Sequence, residues 1–350
     1  MIYPVTEHVA KTARHTTFYL ACGEADAPLI VFCHGWPELS ISWRHQLRCF
    51  ADLGFRAIAP DMRGYGRSTV HPNLSDYSME HIVGDMLELL SALGRESALW
   101  VGHDWGAPVV WSLAQHHADR VEGAAALCVP YHPGGFSTAT LVAMVDRALY
   151  PVEQYPAGQW DYHFFYQEQF EKASRTFDAN PVNTVKALFR KGNPKAKGTV
   201  ARLATVRRDG GWFGGADQAP DLPMDRDLLT DEDLHQYASA LQRNGFFGPD
   251  AWYMNGSANL EYGRGAPNAG RLSMPVLFLH AAYDYTCDTS NPLFVQAMRE
   301  SCDDLMEATV ASGHWMAQEK PSVVNAALTR WLAQKFPERW SVRFVHEFPA

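Results

Sequence analysis

The sequence predicts an α/β protein with a mainly parallel central sheet flanked by helices, interrupted by a helical insertion. Three observations carry that expectation. Short runs that are apolar throughout alternate with stretches of helical periodicity; the alternation stops near Tyr131 and resumes near Leu272; and the interval between them reads as helices and loops. Strands apolar on both faces belong in a sheet covered on both sides, which is how parallel sheets are built. Strand and helix then succeed one another through right-handed crossovers.

In chain order the strand-like runs are PLIVFCHG (28–35), FRAIAPDMRG (55–64), ALWVGHD (98–104), GAAALCVP (123–130), PVLFLHAAYD (275–284) and DLMEATVASGHW (304–315). Between them, SWRHQLRCFADLG, MEHIVGDMLELLSALG and PVVWSLAQHHADR repeat apolar residues at helical spacing, as does SVVNAALTRWLAQKF near the end. YHPGGF opens the interval and RDGGWFGGADQAPDLP breaks it, while QWDYHFFYQEQFEKASRTF and DEDLHQYASALQRNGF read as its helices. The division expected is core over 1–131, a helical cap over 132–271 and core again over 272–350. Such an insertion is placed over the end of the sheet where α/β proteins keep their chemistry. GGWFGG (210–215) fits either a cap hinge or an ordinary loop.

The chain has 350 residues, 47% of them hydrophobic, enough for a sizeable buried core. Lys and Arg total 30 against 39 Asp and Glu, a formal net charge of -9 that argues against nucleic acid and anionic membranes as partners. A small neutral molecule is expected instead. The six cysteines include no C-x-x-C pair, so neither a zinc site nor a disulfide framework is expected; Cys33 and Cys128 lie in apolar runs and read as buried thiols. MIYPVTEHVAKTARH lacks a basic segment followed by an apolar one, and no run approaches the roughly 20 apolar residues of a membrane span. The expectation is a reduced, cytoplasmic protein needing no metal and no cofactor.

VGHDWG (101–106) poses the chemical question. It has the frame of the strand–turn–helix elbow that presents a nucleophilic serine, with small residues letting the backbone close, yet its central residue is Asp104. A carboxylate needs no proton removed and displaces leaving groups at saturated carbon. Asp104 therefore predicts an alkyl ester intermediate, with epoxides or alkyl halides as substrates rather than carboxylic esters.

HGWPE (34–38), SWRHQ (42–46), DMRGYGRS (61–68), GHDWGAPVVW (102–111) and GHW (313–315), taken as a set in this order, resemble the epoxide hydrolase branch of the α/β-hydrolase fold family. An ester on Asp104 must be cleaved by water, which calls for a general base with an orienting carboxylate. The resemblance implies His314, in ASGHW, as the base and Asp284, after PVLFLHAAY, as its orienting acid; Asp288 is the alternative orienter. It also implies that the oxyanion is met by the backbone amides of Trp36 and Trp105, and that the Trp36–Pro37 bond is cis.

Haloalkane dehalogenases are similar in the core, so the leaving group is decided in the cap. An epoxide oxygen leaves as an alkoxide and is helped by a proton donor; a halide needs only N–H dipoles. DYHFFYQE (161–168) and GFFGPDAWY (245–253) resemble the motifs carrying the two donor tyrosines of epoxide hydrolases, which points to Tyr162 and Tyr253. Tyr166, one helical turn beyond Tyr162 on the same face, is the alternative first donor. Trp36, Trp105, Phe164 and Trp252 are expected to line an apolar pocket, with core packing an equal alternative for Phe164 and Trp252. His103 reads as a packed core histidine, His34 as a residue that fixes its loop, and Asp61 and Arg63 as structural.

The function expected is a cofactor-independent epoxide hydrolase, acting on a small apolar epoxide and water, as a monomer or homodimer. The alternatives are a haloalkane dehalogenase using the same Asp104 and, more remotely, a non-catalytic small-molecule binding protein on the same fold.

Overall fold

A computed structural model of the protein describes residues 3–339. The chain opens with β1 (Thr6–Lys11), β2 (Thr16–Cys22) and β3 (Leu29–Cys33), then α1 (Arg44–Asp52), β4 (Arg56–Pro60), α2 (Met79–Ala92), β5 (Ala98–His103), α3 (Gly106–His116) and β6 (Val121–Leu127). Six helices follow without an intervening strand: α4 (Thr138–Ala143), α5 (Asp161–Asp178), α6 (Pro181–Leu188), α7 (Asp231–Asn244), α8 (Phe247–Ala251) and α9 (Gly256–Arg264). The sheet resumes with β7 (Leu272–Ala281), α10 (Pro292–Ser301), β8 (Cys302–Val310), α11 (Met316–Glu319) and α12 (Pro321–Lys335).

The strands form one eight-stranded sheet in the order β1-β2-β4-β3-β5-β6-β7-β8. From β4 to β8 every neighbouring pair is parallel, while β1 and β2 add antiparallel strands at one edge. All residues of β3 and β5 are buried, consistent with their unbroken apolar runs. Burying each Val, Ile, Leu or Phe there contributes about 1.5–3 kcal/mol, which holds the loops leaving those strands on a rigid base. β8 differs: as the outer strand it exposes Asp303 and Glu307, charges that discourage edge pairing.

The six strands read from the sequence are β3 to β8. β1 and β2 were not among them, because β1 alternates exposed and partly buried positions and offers no continuous apolar run. No described helix is long and apolar enough to cross a membrane. All six cysteines are free, and Cys33 and Cys128 are buried.

Candidate active site

Four parallel strands deliver residues to one end of the sheet, the end where such folds place ligands. β3 leads into Trp36, β5 into Asp104, β7 into Asp284 and β8 into His314. At the elbow Asp104 has φ +49°, a left-handed conformation that costs a non-glycine residue about 1–3 kcal/mol and persists because its surroundings over-determine it. The flanking glycines are required by space: a Cβ on Gly106 would lie 2.1 Å from the Cys33 carbonyl oxygen, and one on Gly102 would lie 2.2 Å from that of Gly106.

The Asp104 carboxylate is held from two sides. The Trp36 amide donates to Oδ1 at 2.7 Å, and His314 Nε2 lies 3.4 Å from Oδ2. A Cβ added to Gly35 would sit 2.4 Å from Asp104 Oδ1 and 2.6 Å from the Trp105 nitrogen, so both expected oxyanion donors border the space around this one oxygen. The Trp36–Pro37 bond is cis.

His314 Nδ1 meets Asp284 Oδ2 at 2.6 Å. Asp284 is buried, and its other oxygen accepts from the Thr286 and Cys287 amides at 3.0 Å each. Burial opposes its charge, but the His314 imidazolium and these donors hold its carboxyl below the usual range. His314 is pulled the other way. Burial disfavours its charge, and the neighbouring Asp284, with hydrogen bonds to Asp104 and Asp284, outweighs that and raises its pKa well above the ordinary value. Asp288 instead accepts from the Ser290 amide and hydroxyl within its own turn.

A cavity of about 390 Å³ opens onto Asp104, His314, Trp36, Tyr162 and Tyr253. The rings of Tyr162 and Tyr253 lie 5.7 Å apart, and burial pushes both phenols well above their usual pKa, so both keep their protons through the neutral range. Tyr166 is behind them, stacked on Tyr253 at 4.3 Å and absent from the cavity wall. Trp105 borders a much smaller recess of about 10 Å³ that also touches Asp104 and Tyr162.

Phe164 and Trp252 lie off the wall of the main cavity. Two residues along α5 turn the helix by about 200°, so Phe164 points away from the face of Tyr162, and the Arg207 guanidinium covers its ring at 4.8 Å. Trp252 is buried at a joint with the core, its indole donating to the Arg63 carbonyl at 3.1 Å.

His103 and Glu38 do more than fill space. His103 Nδ1 meets Glu38 Oε2 at 2.7 Å, and its Nε2 donates to the His314 carbonyl at 2.8 Å. Burial opposes the charge on both, yet each holds the other ionised: the histidine is raised and the glutamate lowered. Glu38 also accepts from the Gly35 amide at 2.9 Å, so one buried ion pair ties the loop after β3 to the loop carrying His314. His34 fixes its loop, accepting from the Met62 amide at 2.9 Å. Arg63 makes a buried bidentate pair with Asp85, and Asp61 accepts from the Ser40 and Arg67 amides.

Asp250 was not expected at all, although an acid amid the apolar residues of GFFGPDAWY was a visible signal. It is fully buried and accepts from Trp36 Nε1 at 2.9 Å.

The chain and its fold have relatives among known proteins. The alpha/beta hydrolase fold family model matches residues 28–321. Epoxide hydrolase A of Mycobacterium tuberculosis is 31% identical over 337 residues, covering 93% of this chain and 97% of that protein. Bifunctional epoxide hydrolase 2 of Sus scrofa is 32% identical over 307 residues, covering 87% of this chain, which spans about half (51%) of that longer protein. The crystal structure of epoxide hydrolase A from Mycobacterium thermoresistibile superposes with a TM-score of 0.77 at 30% identity, covering 94% of this chain and 98% of that one. The chain therefore belongs to the α/β-hydrolase fold family, within its epoxide hydrolases.

Proposed function

We propose that the protein converts a small apolar epoxide to a vicinal diol in two steps. Asp104 attacks a ring carbon while Tyr162 and Tyr253 hydrogen-bond to the epoxide oxygen and one of them delivers a proton, leaving a hydroxyalkyl ester. With Asp104 esterified, the resting proton of His314 passes through solvent to the tyrosinate, and the neutral imidazole, oriented by Asp284, then takes a proton from water. The resulting hydroxide attacks the ester carbonyl, the Trp36 and Trp105 amides receive the oxyanion, and on collapse the new carboxyl proton goes to the departing alkoxide, which releases the diol and restores the Asp104 carboxylate beside a protonated His314.

The observation that carries this reading is the placement of the Asp104 carboxylate and the protonated phenols of Tyr162 and Tyr253 on a single cavity. An alkoxide leaving group needs a proton and a halide does not. The Trp36 indole N–H is committed to Asp250, which leaves it unable to solvate a halide. The site residues, the division into core and cap, and a monomeric or dimeric state belong to this proposal, as does a cytoplasmic location.

The test is a side-by-side assay with styrene oxide, a terminal alkyl epoxide and 1-bromobutane. Diol without bromide is expected; bromide without diol would overturn the reading in favour of dehalogenation. Within the epoxide reaction, Tyr253→Phe should slow ester formation in a single turnover by roughly 10–100-fold, because one of two donors is removed. An unchanged rate would take Tyr253 out of the donor role. Tyr162→Phe should behave similarly, and Tyr166→Phe should have a much smaller effect.

A further inference from the structure

Trp36 has two N–H donors committed to two different parts of the molecule. Its amide donates to Asp104 Oδ1 at 2.7 Å and its indole to Asp250 Oδ1 at 2.9 Å. Asp250 sits on α8, three residues before Tyr253, and its second oxygen accepts from the Ser174 hydroxyl of α5 at 2.9 Å. A carboxyl group wholly out of water is costly unless donors replace its hydration, and here burial pushes its pKa well above the usual range. A residue of that cost at the joint between the oxyanion loop and the inserted helices calls for a role beyond filling space.

The segment around Asp250 is anchored independently. The Trp252 indole donates to the Arg63 carbonyl at 3.1 Å, and Asn244 donates to that of Gly66 at 2.6 Å. A Cβ on Gly248 would lie 2.7 Å from the Gly64 carbonyl oxygen, so α8 is seated directly on the core loop that DMRGYGRS forms. Asp250 is thus a fixed post, and the Trp36 ring is the strut between that post and the nucleophile.

We propose that Asp250 is a positioning residue for the ester-hydrolysis step: by holding the Trp36 indole it keeps the Trp36 amide aimed at the Asp104 oxygen on which charge collects. The proposal rests on the two-step reading above. Its kinetic signature follows from how charge moves on that oxygen. During alkylation Asp104 loses its charge, so a well-aimed amide favours the starting state. During water attack the charge returns, so the same amide favours the transition state. Loosening the strut should slow ester hydrolysis and leave ester formation unchanged or faster. A merely structural role would lower Tm and move both steps together.

The experiment is rapid-quench single turnover on styrene oxide, with the ester followed by intact-protein mass spectrometry, in the parent protein, Asp250→Leu, Asp250→Asn and Trp36→Phe. Asp250→Leu removes the acceptor. Trp36→Phe removes the indole donor with part of the ring's packing on Tyr166 and Tyr253 but keeps the backbone amide, which covers the case in which the leucine variant does not fold. Asparagine keeps an acceptor for the indole and a donor for Ser174. Removing one oxyanion donor outright costs about 10²–10³-fold, so misaiming it should slow ester decay by roughly 10-fold in Asp250→Leu and Trp36→Phe, with Asp250→Asn close to the parent. Ester formation and decay that fall in proportion, or an unchanged ratio beside a lowered Tm, would overturn the proposal while leaving the two-step reading intact. A parent protein that forms neither ester nor diol would overturn the two-step reading itself, and the proposal with it.

Discussion

Asp104→Ala is expected to form no diol above background, a loss on the order of 10⁴-fold or more, because the cavity's other carboxylate, Asp284, is committed to His314 and to the Thr286 and Cys287 amides. The same covalent route makes an isotopic prediction. In a single turnover in H₂¹⁸O, water attacks the Asp104 carbonyl, so the first diol should carry an oxygen from the protein and the label should remain on Asp104. Labelled diol in the first turnover, or substantial residual activity in the alanine variant, would rule out the ester. A stability comparison separates chemistry from folding. Position 104 has φ +49°, where glycine is at ease and alanine is not, so Asp104→Gly should be as inactive as Asp104→Ala but more stable by about 1 kcal/mol.

His314→Gln is expected to stop the reaction halfway. Ester formation needs Asp104 and the tyrosines, so the variant should alkylate and then accumulate an adduct with the mass of the epoxide, its decay slowed by about 10²–10⁴-fold. Unmodified protein after incubation with substrate would exclude His314 as the base of the second step alone. The electrostatics explain how one histidine can wait and then act. In the resting site Asp284 and Asp104 hold the imidazole protonated against the effect of burial. On the proposed route, esterification would remove the charge on Asp104 and with it one of those supports, lowering the histidine's pKa so that it could lose its proton and serve as a base at the second step.

The same group makes stability depend on pH. Its folded pKa lies above the ordinary value of 6.5, so protonation favours the folded state. That contribution is complete below about pH 6.5 and is lost as the pH rises through the folded value. The Tm advantage of the parent protein over His314→Gln should therefore shrink as pH is raised above 6.5, and an advantage that grew with pH would contradict the charge state assigned here. The variant comparison matters because His103, also raised, titrates in the parent and the variant alike.

How far the sequence could be read depended on how local the determining physics was. β3 to β8 were legible because strands covered on both faces leave unbroken apolar runs. β1 was not, because an antiparallel edge strand facing water leaves only a partial alternation. α5 and α7 are long enough to show helical periodicity, whereas α8 spans only Phe247–Ala251 and includes Gly248 and Pro249, a composition that reads as a turn. Phe164 is instructive: its separation of two residues from Tyr162 places it on another face of the helix, a constraint that helical periodicity alone imposes.

By itself the sequence determined the chemistry of the core: a carboxylate at the elbow, an acid and a histidine after later strands, and the parallel sheet that brings them together. Those residues follow directly on apolar strand runs, and such runs are marked by short-range hydrophobic pattern. The tertiary structure decided which of two same-face tyrosines reaches the cavity, that Trp252 turns to the core, that Asp284 rather than Asp288 meets His314, and that Asp250 grips Trp36. Each of these turns on how an inserted helix or a loop docks against the core. Docking is set by contacts between residues as distant in the chain as Trp36 and Asp250, and no local pattern carries the distance between them.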